Sequence, residues 1–218
     1  MVEEAGTSKI DARANNPMPL EGFLFKEEWL NYYNPLVPEF QRRLPDLVYV
    51  MGVDTAISES PTADYTAITT LGVDPETREC YVFEIWRGRL DFPSQVRVIR
   101  EKFEQMKMRH TPVVNIRVES TAYQRALAQT TFLAGLPVSE IRAPGSKVHR
   151  MYGLVPNIEN GRIRFPDPAI RRDSWFDGFK MEYLAFPNGA YDDQLDSLCL
   201  AFEVSDASRV RSAFYFGT

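Results

Sequence analysis

With 218 residues, 44% of them hydrophobic, the chain is long enough for one globular domain with a sizeable core and an appendage. A formal net charge of −5 argues against a blanket nucleic-acid coat but leaves room for a local basic surface. Cys80 and Cys199 lack CxxC spacing, which excludes a zinc or disulfide framework, and neither a membrane-length apolar run nor a secretion signal is visible. A soluble protein of a reducing compartment is expected.

Residues 1–46 are polar at first and then rich in proline, so a disordered beginning followed by a linker or arm is expected, with the aromatic segment 25–33 as a docking helical turn. LVYVMGVDT at 47–55 then reads as a strand too apolar to have a wet face, placed centrally in a sheet and ending in Asp54. A polar loop at 57–63 leads to two further apolar runs, 65–73 and 80–86. The turn sequence DPETR at 74–78 joins them, so three consecutive strands should form an antiparallel meander. Val96, Ile99, Phe103 and Met106 recur at helical spacing, with Asp91 and Ser94 as available caps. A strand at 113–118 ends in Glu119, a second helix follows around 123–134, stopped by Gly135 and Pro137, and a short strand covers 138–141. Then come a loop at 143–147, a helix at 148–160 closed by Gly161, a strand at 162–165, a helical stretch at 170–184 and a turn at 187–189. The last helix starts at Asp192, with Leu195, Leu198, Cys199 and Phe202 as its core face, and a tail without periodicity follows Val204. A meander followed by alternating helix and strand gives an α/β fold, a mixed sheet flanked by helices.

Acids thus fall at three comparable places: Asp54 and Glu119 at strand ends, and Asp192, Asp193 and Asp196 in the first turn of the last helix. Each has an ordinary reading as well, Asp54 as a turn aspartate and the last group as helix caps. The C-terminal edge of parallel strands is where open sheets hold ligands, so the three sites can converge. Carboxylates packed together repel unless a cation neutralises them, and hard oxygen ligands favour Mg²⁺ or Mn²⁺. Two such ions about 4 Å apart can clamp a phosphodiester. His110 and His149 are the only histidines available as acid–base groups.

The series GVDTA at 52–56, SPTADYTAI at 60–68, VES at 118–120, GSKVHR at 145–150, NGRIRFP at 160–166 and AYDDQLDSL at 190–198 resembles the nuclease domain of tailed-phage large terminase subunits, over residues 25–204. The resemblance implies a ribonuclease H-like fold at 47–205 and a metal-dependent endonuclease that cuts double-stranded viral DNA concatemers during packaging in the host cytoplasm. Carried over, Asp54, Glu119 and Asp193 are the catalytic acids. Asp196 joins them as a metal ligand, matching the second acid of the DxxD of related resolvases. Many relatives have histidine at the place of Tyr191, which leaves that side chain without an inherited role. The implied partners are double-stranded DNA, the portal protein, the small terminase subunit and an ATPase motor. No GxxxxGK(S/T) loop is present, so the chain resembles the C-terminal part of a longer protein, with 25–33 similar to the joining segment. Competing readings are a resolvase-type nuclease of the same fold and a non-catalytic docking module. An actin-like sugar kinase lacks its second, DxGGG-type glycine motif here.

Between 142 and 172 seven basic residues, Arg142, Lys147, Arg150, Arg162, Arg164, Arg171 and Arg172, face two acids, Glu159 and Asp167. Lys147 and Arg150 are one helical turn apart. Together with the KxxR resemblance this makes them the expected DNA-binding pair, against the plainer reading of a solvated helix face.

Overall fold

The computed structural model describes residues 24–55, 65–109, 113–119, 126, 129–131, 135–141 and 147–206. Its centre is a seven-stranded mixed sheet with strands β1 (Asn31–Tyr33), β2 (Val48–Asp54), β3 (Thr66–Val73), β4 (Cys80–Gly88), β5 (Val113–Glu119), β6 (Val138–Ile141) and β7 (Ile163–Pro166), in the order β1-β7-β4-β3-β2-β5-β6. The expected meander is there: β2 pairs antiparallel with β3, and β3 with β4. All other pairings are parallel, so β3 alone runs against the other six. The C-terminal ends of β2, β4 and β5 therefore share one edge.

Val48–Val53 is buried throughout, and its alternation divides the core into two layers. Val50 points to a cluster with Leu71, Val82, Leu154, Phe179 and Leu198. That layer is roofed by α3 (Lys147–Glu159), α4 (Phe176–Ala185) and α5 (Asp193–Asp206). Tyr49, Met51 and Val53 point to the opposite layer, where Ile99 and Met106 of α2 (Phe92–Arg109) and Phe40 of the short α1 (Pro38–Arg43) pack. Asp91, as expected, caps α2, its Oδ1 accepting from the Ser94 N–H at 3.1 Å. The turn after β3 is held by Asp74 Oδ1, which accepts from the N–H groups of Glu76 and Thr77 at 2.8 and 2.9 Å.

Three elements differ from expectation. Of residues 25–33, expected as a docking helical turn, only Glu27–Trp29 is helical, and Asn31–Tyr33 forms an edge strand beside β7. Its Tyr33 hydroxyl donates to Val82 O at 2.9 Å. The helix expected at 170–184 begins only at Phe176, because a turn built on Asp167 takes up the amides of Ala169, Ile170 and Arg171. The last helix, read as having one core face, is buried on nearly every side from Asp193 to Phe202. Gly52 is the reason it lies so close: a Cβ there would stand 2.1 Å from Ser197 O and 2.3 Å from Ala201 N. The residues of the helix expected around 123–134 are described only at 126 and 129–131, which are helical, and the polar beginning, the 57–63 loop and the tail after Val204 lie wholly or largely outside the described residues. Among the described residues no helix is long and apolar enough to cross a membrane.

Candidate active site

The parallel register of β2 and β5 pairs Val53 with Val118, so Asp54 and Glu119 leave the sheet side by side at the C-terminal edge. The close packing of α5 on Gly52 brings the start of that helix over the same edge. Asp193 and Asp196 sit in its first turn, both nearly buried. The electrostatic consequence falls on Asp54. Desolvation pushes its pKa well above the ordinary carboxylate range, the charges of Asp196, Asp193 and Glu119 push it further, and Lys147 opposes them. The acids that the sequence places at three separate points thus act on one another as one group.

Two bases from the first turn of α3 enter this group. The Lys147 ammonium contacts Asp192 Oδ1 at 2.5 Å and also Asp196 Oδ2. Arg150 spans two acids, with Nη1 2.8 Å from Glu119 Oε1 and Nη2 3.3 Å from Asp196 Oδ1. Only 7% of the Arg150 side chain is exposed, against 37% for Lys147. Arg150, expected to face a phosphate, is thus an internal counter-ion to Glu119 and Asp196. Burial still raises the pKa of Asp196, in spite of both bases. Desolvation works against the charged forms of Lys147 and Arg150, yet the acids hold both pKa values above the usual range.

The other arginines of the expected basic run are dispersed. Arg164 pairs with Glu79, Arg171 with Asp173 and Arg172 with Asp177, while Arg142 lies outside the described residues. His149 is exposed on α3, and His110 is outside the described residues. Tyr191 is exposed, its ring edge-on to that of Tyr65 at 5.1 Å.

One residue that matters to this geometry escaped the sequence reading. Glu182 of α4 is buried, its Oε1 accepting from the Leu195 N–H at 3.0 Å and its Oε2 from Gln194 Nε2 at 2.9 Å. It ties down the first turn of α5, the turn that carries Asp193 and Asp196, and Arg87 faces it at 3.3 Å. Nothing local marks Glu182 in the sequence, since a glutamate inside a helical stretch reads as a surface residue.

Asp54, Glu119, Asp193 and Asp196 form an all-oxygen donor set that carries more negative charge than its desolvated setting tolerates, and that chemistry suits a hard divalent cation. In this arrangement no group of three or more acid, imidazole or thiol side chains among the described residues is set to hold an ion; Lys147 and Arg150 pair with Glu119 and Asp196 instead. Loading a cation therefore calls for these side chains to exchange partners.

The fold is shared with solved structures. The large terminase nuclease of the thermophilic phage G20c with bound magnesium is 14% identical with a TM-score of 0.59, over 85% of this chain and 98% of that one. The manganese-soaked, inhibitor-bound human cytomegalovirus terminase nuclease domain is 12% identical with a TM-score of 0.58, over 86% and 98%. The large terminase of a second thermophilic bacteriophage is 12% identical with a TM-score of 0.58, and the match takes in 82% of this chain but 43% of that one. No curated protein sequence matches. The sequence model of the terminase RNaseH-like domain matches residues 51–204, a span that runs from within β2 almost to the end of α5 and takes in all four acids, and the chain therefore belongs to that family.

Proposed function

We propose that this chain is the metal-dependent endonuclease of a viral DNA-packaging enzyme, cutting double-stranded DNA concatemers in the host cytoplasm. The observation that carries the reading is the meeting of Asp54 and Glu119, neighbours across β2 and β5, with Asp193 and Asp196 of α5. Asp54, Glu119, Asp193 and Asp196 would hold two Mg²⁺ or Mn²⁺ ions, as suits their oxygen donors and as the magnesium and manganese in the related nuclease structures support. Bound there, the ions supply an activated water and charge neutralisation at the phosphodiester.

The chain's own residues set the geometry. Glu182 fixes the helix start, and Arg150 orients Glu119 and Asp196. Lys147, the more exposed of the two bases, lies at the mouth of the acid group, where its ammonium can exchange Asp192 and Asp196 for a DNA phosphate. The chain would work beside an ATPase motor and with the portal protein and the small terminase subunit. The test is conversion of supercoiled plasmid to nicked and linear forms with Mn²⁺. Asp54→Asn, Glu119→Gln and Asp193→Asn should each cut at least ~100-fold more slowly while remaining folded. Cleavage that survives in all three would refute the reading, and a strong preference for branched over linear DNA would replace it with a resolvase activity.

A further inference from the structure

The row of paired residues that sets Glu119 beside Asp54 continues across the sheet. Asp54 pairs with Ala67, and Ala67 with Arg87. Residues directly opposite in a ladder project on the same face, so Arg87 stands two strands, about 10 Å, from Asp54 on the face that α5 covers.

Around Arg87 the rim is built of aromatic rings and a second guanidinium. Arg87 Cζ lies 4.4 Å from the ring centroid of Tyr65 and 5.9 Å from that of Tyr191. Arg89, an exposed residue, places its Cζ 4.0 Å from the Tyr65 centroid. Tyr191 immediately precedes Asp192, so this cluster directly adjoins the acid group. The buried carboxylate of Glu182 accounts for Arg87. It does not account for two tyrosines gathered at this rim, and the core makes no use of the exposed Tyr191 ring.

We propose that Arg89, Tyr65 and Tyr191, braced by Arg87, form a subsite for the sugar–phosphate backbone of the DNA strand that flanks the cut. The subsite rests on the nuclease reading above. A guanidinium offers paired donors that match phosphate oxygens, phenol hydroxyls donate to the same oxygens, and stacking on Tyr65 fixes the guanidinium planes before DNA arrives. Such a grip gives an acidic chain a hold on its substrate that Arg150, tied to Glu119 and Asp196, does not provide.

The experiment measures binding of a short labelled duplex to the full 218-residue chain across a salt series, with Ca²⁺ in place of Mg²⁺ so that the duplex stays intact. Arg89→Ala should weaken binding roughly fivefold and lower the slope of log affinity against log salt by about 0.9, with Arg89→Lys retaining most of the slope. Tyr191→Ala should weaken binding and Tyr191→Phe less so, while calorimetric Mn²⁺ affinity stays at the unaltered value in every variant. Arg97→Ala, an exposed position on α2, serves as the control and should change nothing. Unchanged affinity and slope in both alanine variants of a chain that still binds and cuts would overturn the subsite and leave the nuclease reading intact. Parallel loss of Mn²⁺ affinity would also overturn it, as a disturbance of the acid group. Absence of any DNA binding by the unaltered chain would overturn both.

Discussion

Gly52→Ala is the sharpest test of how the site is assembled, because one methyl group would separate two of the three elements that carry the acids, β2 and α5. The added Cβ would lie 2.1 Å from Ser197 O, 2.3 Å from Ala201 N and 2.9 Å from Ala201 Cα, all backbone atoms that cannot rotate away. Ordinary contact begins at 3.4 Å, so α5 and β2 must part by about 1.3 Å. Overpacking of this kind costs about 1–3 kcal/mol, or roughly 2–12 °C of melting temperature for a chain of this size. The same movement carries Asp193 and Asp196 away from Asp54, and a misplacement of about 1 Å can cost about 100-fold in rate. Denaturant unfolding and plasmid cleavage, measured side by side, should show both losses. Gly153→Ala is the control: nothing lies within 4 Å of a Cβ at that exposed position in α3, so it should be neutral or stabilising by up to about 1 kcal/mol. Native stability and cleavage in Gly52→Ala would refute the close approach on which the site geometry depends.

The remaining predictions concern charge. Because Asp54 has a raised pKa in the folded state, the folded chain holds a proton that the unfolded chain releases. That contribution is present below the ordinary carboxylate pKa and is lost as pH rises through the folded value. Urea melts in EDTA should therefore show stability falling as pH rises from about 4, and Asp54→Asn should flatten the profile and melt higher than the unaltered chain; equal profiles would contradict this. Arg150→Ala leaves Glu119 and Asp196 without their shared counter-ion and should cost about 3–5 kcal/mol without metal, part of it recovered on adding Mn²⁺, as melting with and without the ion will show. Glu182→Gln removes the charge opposite Arg87 while keeping an acceptor for the Leu195 amide, so thermal melts should show a loss of about 1–3 kcal/mol, and Glu182→Ala should lose more. Equal losses in the two Glu182 variants would mean that the tie to Leu195 contributes nothing.

The parts of the fold legible in the sequence were those written in local pattern. The unbroken apolar run at 48–53 placed β2 inside the sheet, and the turn residues after Val73 set the meander. The acids were visible because carboxylates at the ends of apolar strands stand out. What local pattern could not convey was pairing over long separations. Arg150 and Lys147 read as a basic helix face, yet the partners that occupy them are 31 to 49 residues away in sequence. Glu182 is tied to a helix start that only the packing of α4 on α5 brings near. The helix predicted from Ile170 failed for a local reason, since the Asp167 turn competes for its first amides and Ile170 stays exposed.

Anomalous diffraction from crystals soaked in Mn²⁺ tests whether Asp54, Glu119, Asp193 and Asp196 together form a divalent-cation site. Manganese peaks bounded by Asp54, Glu119 and Asp193, with the Lys147 ammonium displaced from Asp196, are the predicted result. A saturating soak that leaves the Lys147–Asp196 and Arg150–Glu119 pairs intact, with no manganese among the four acids, would contradict it.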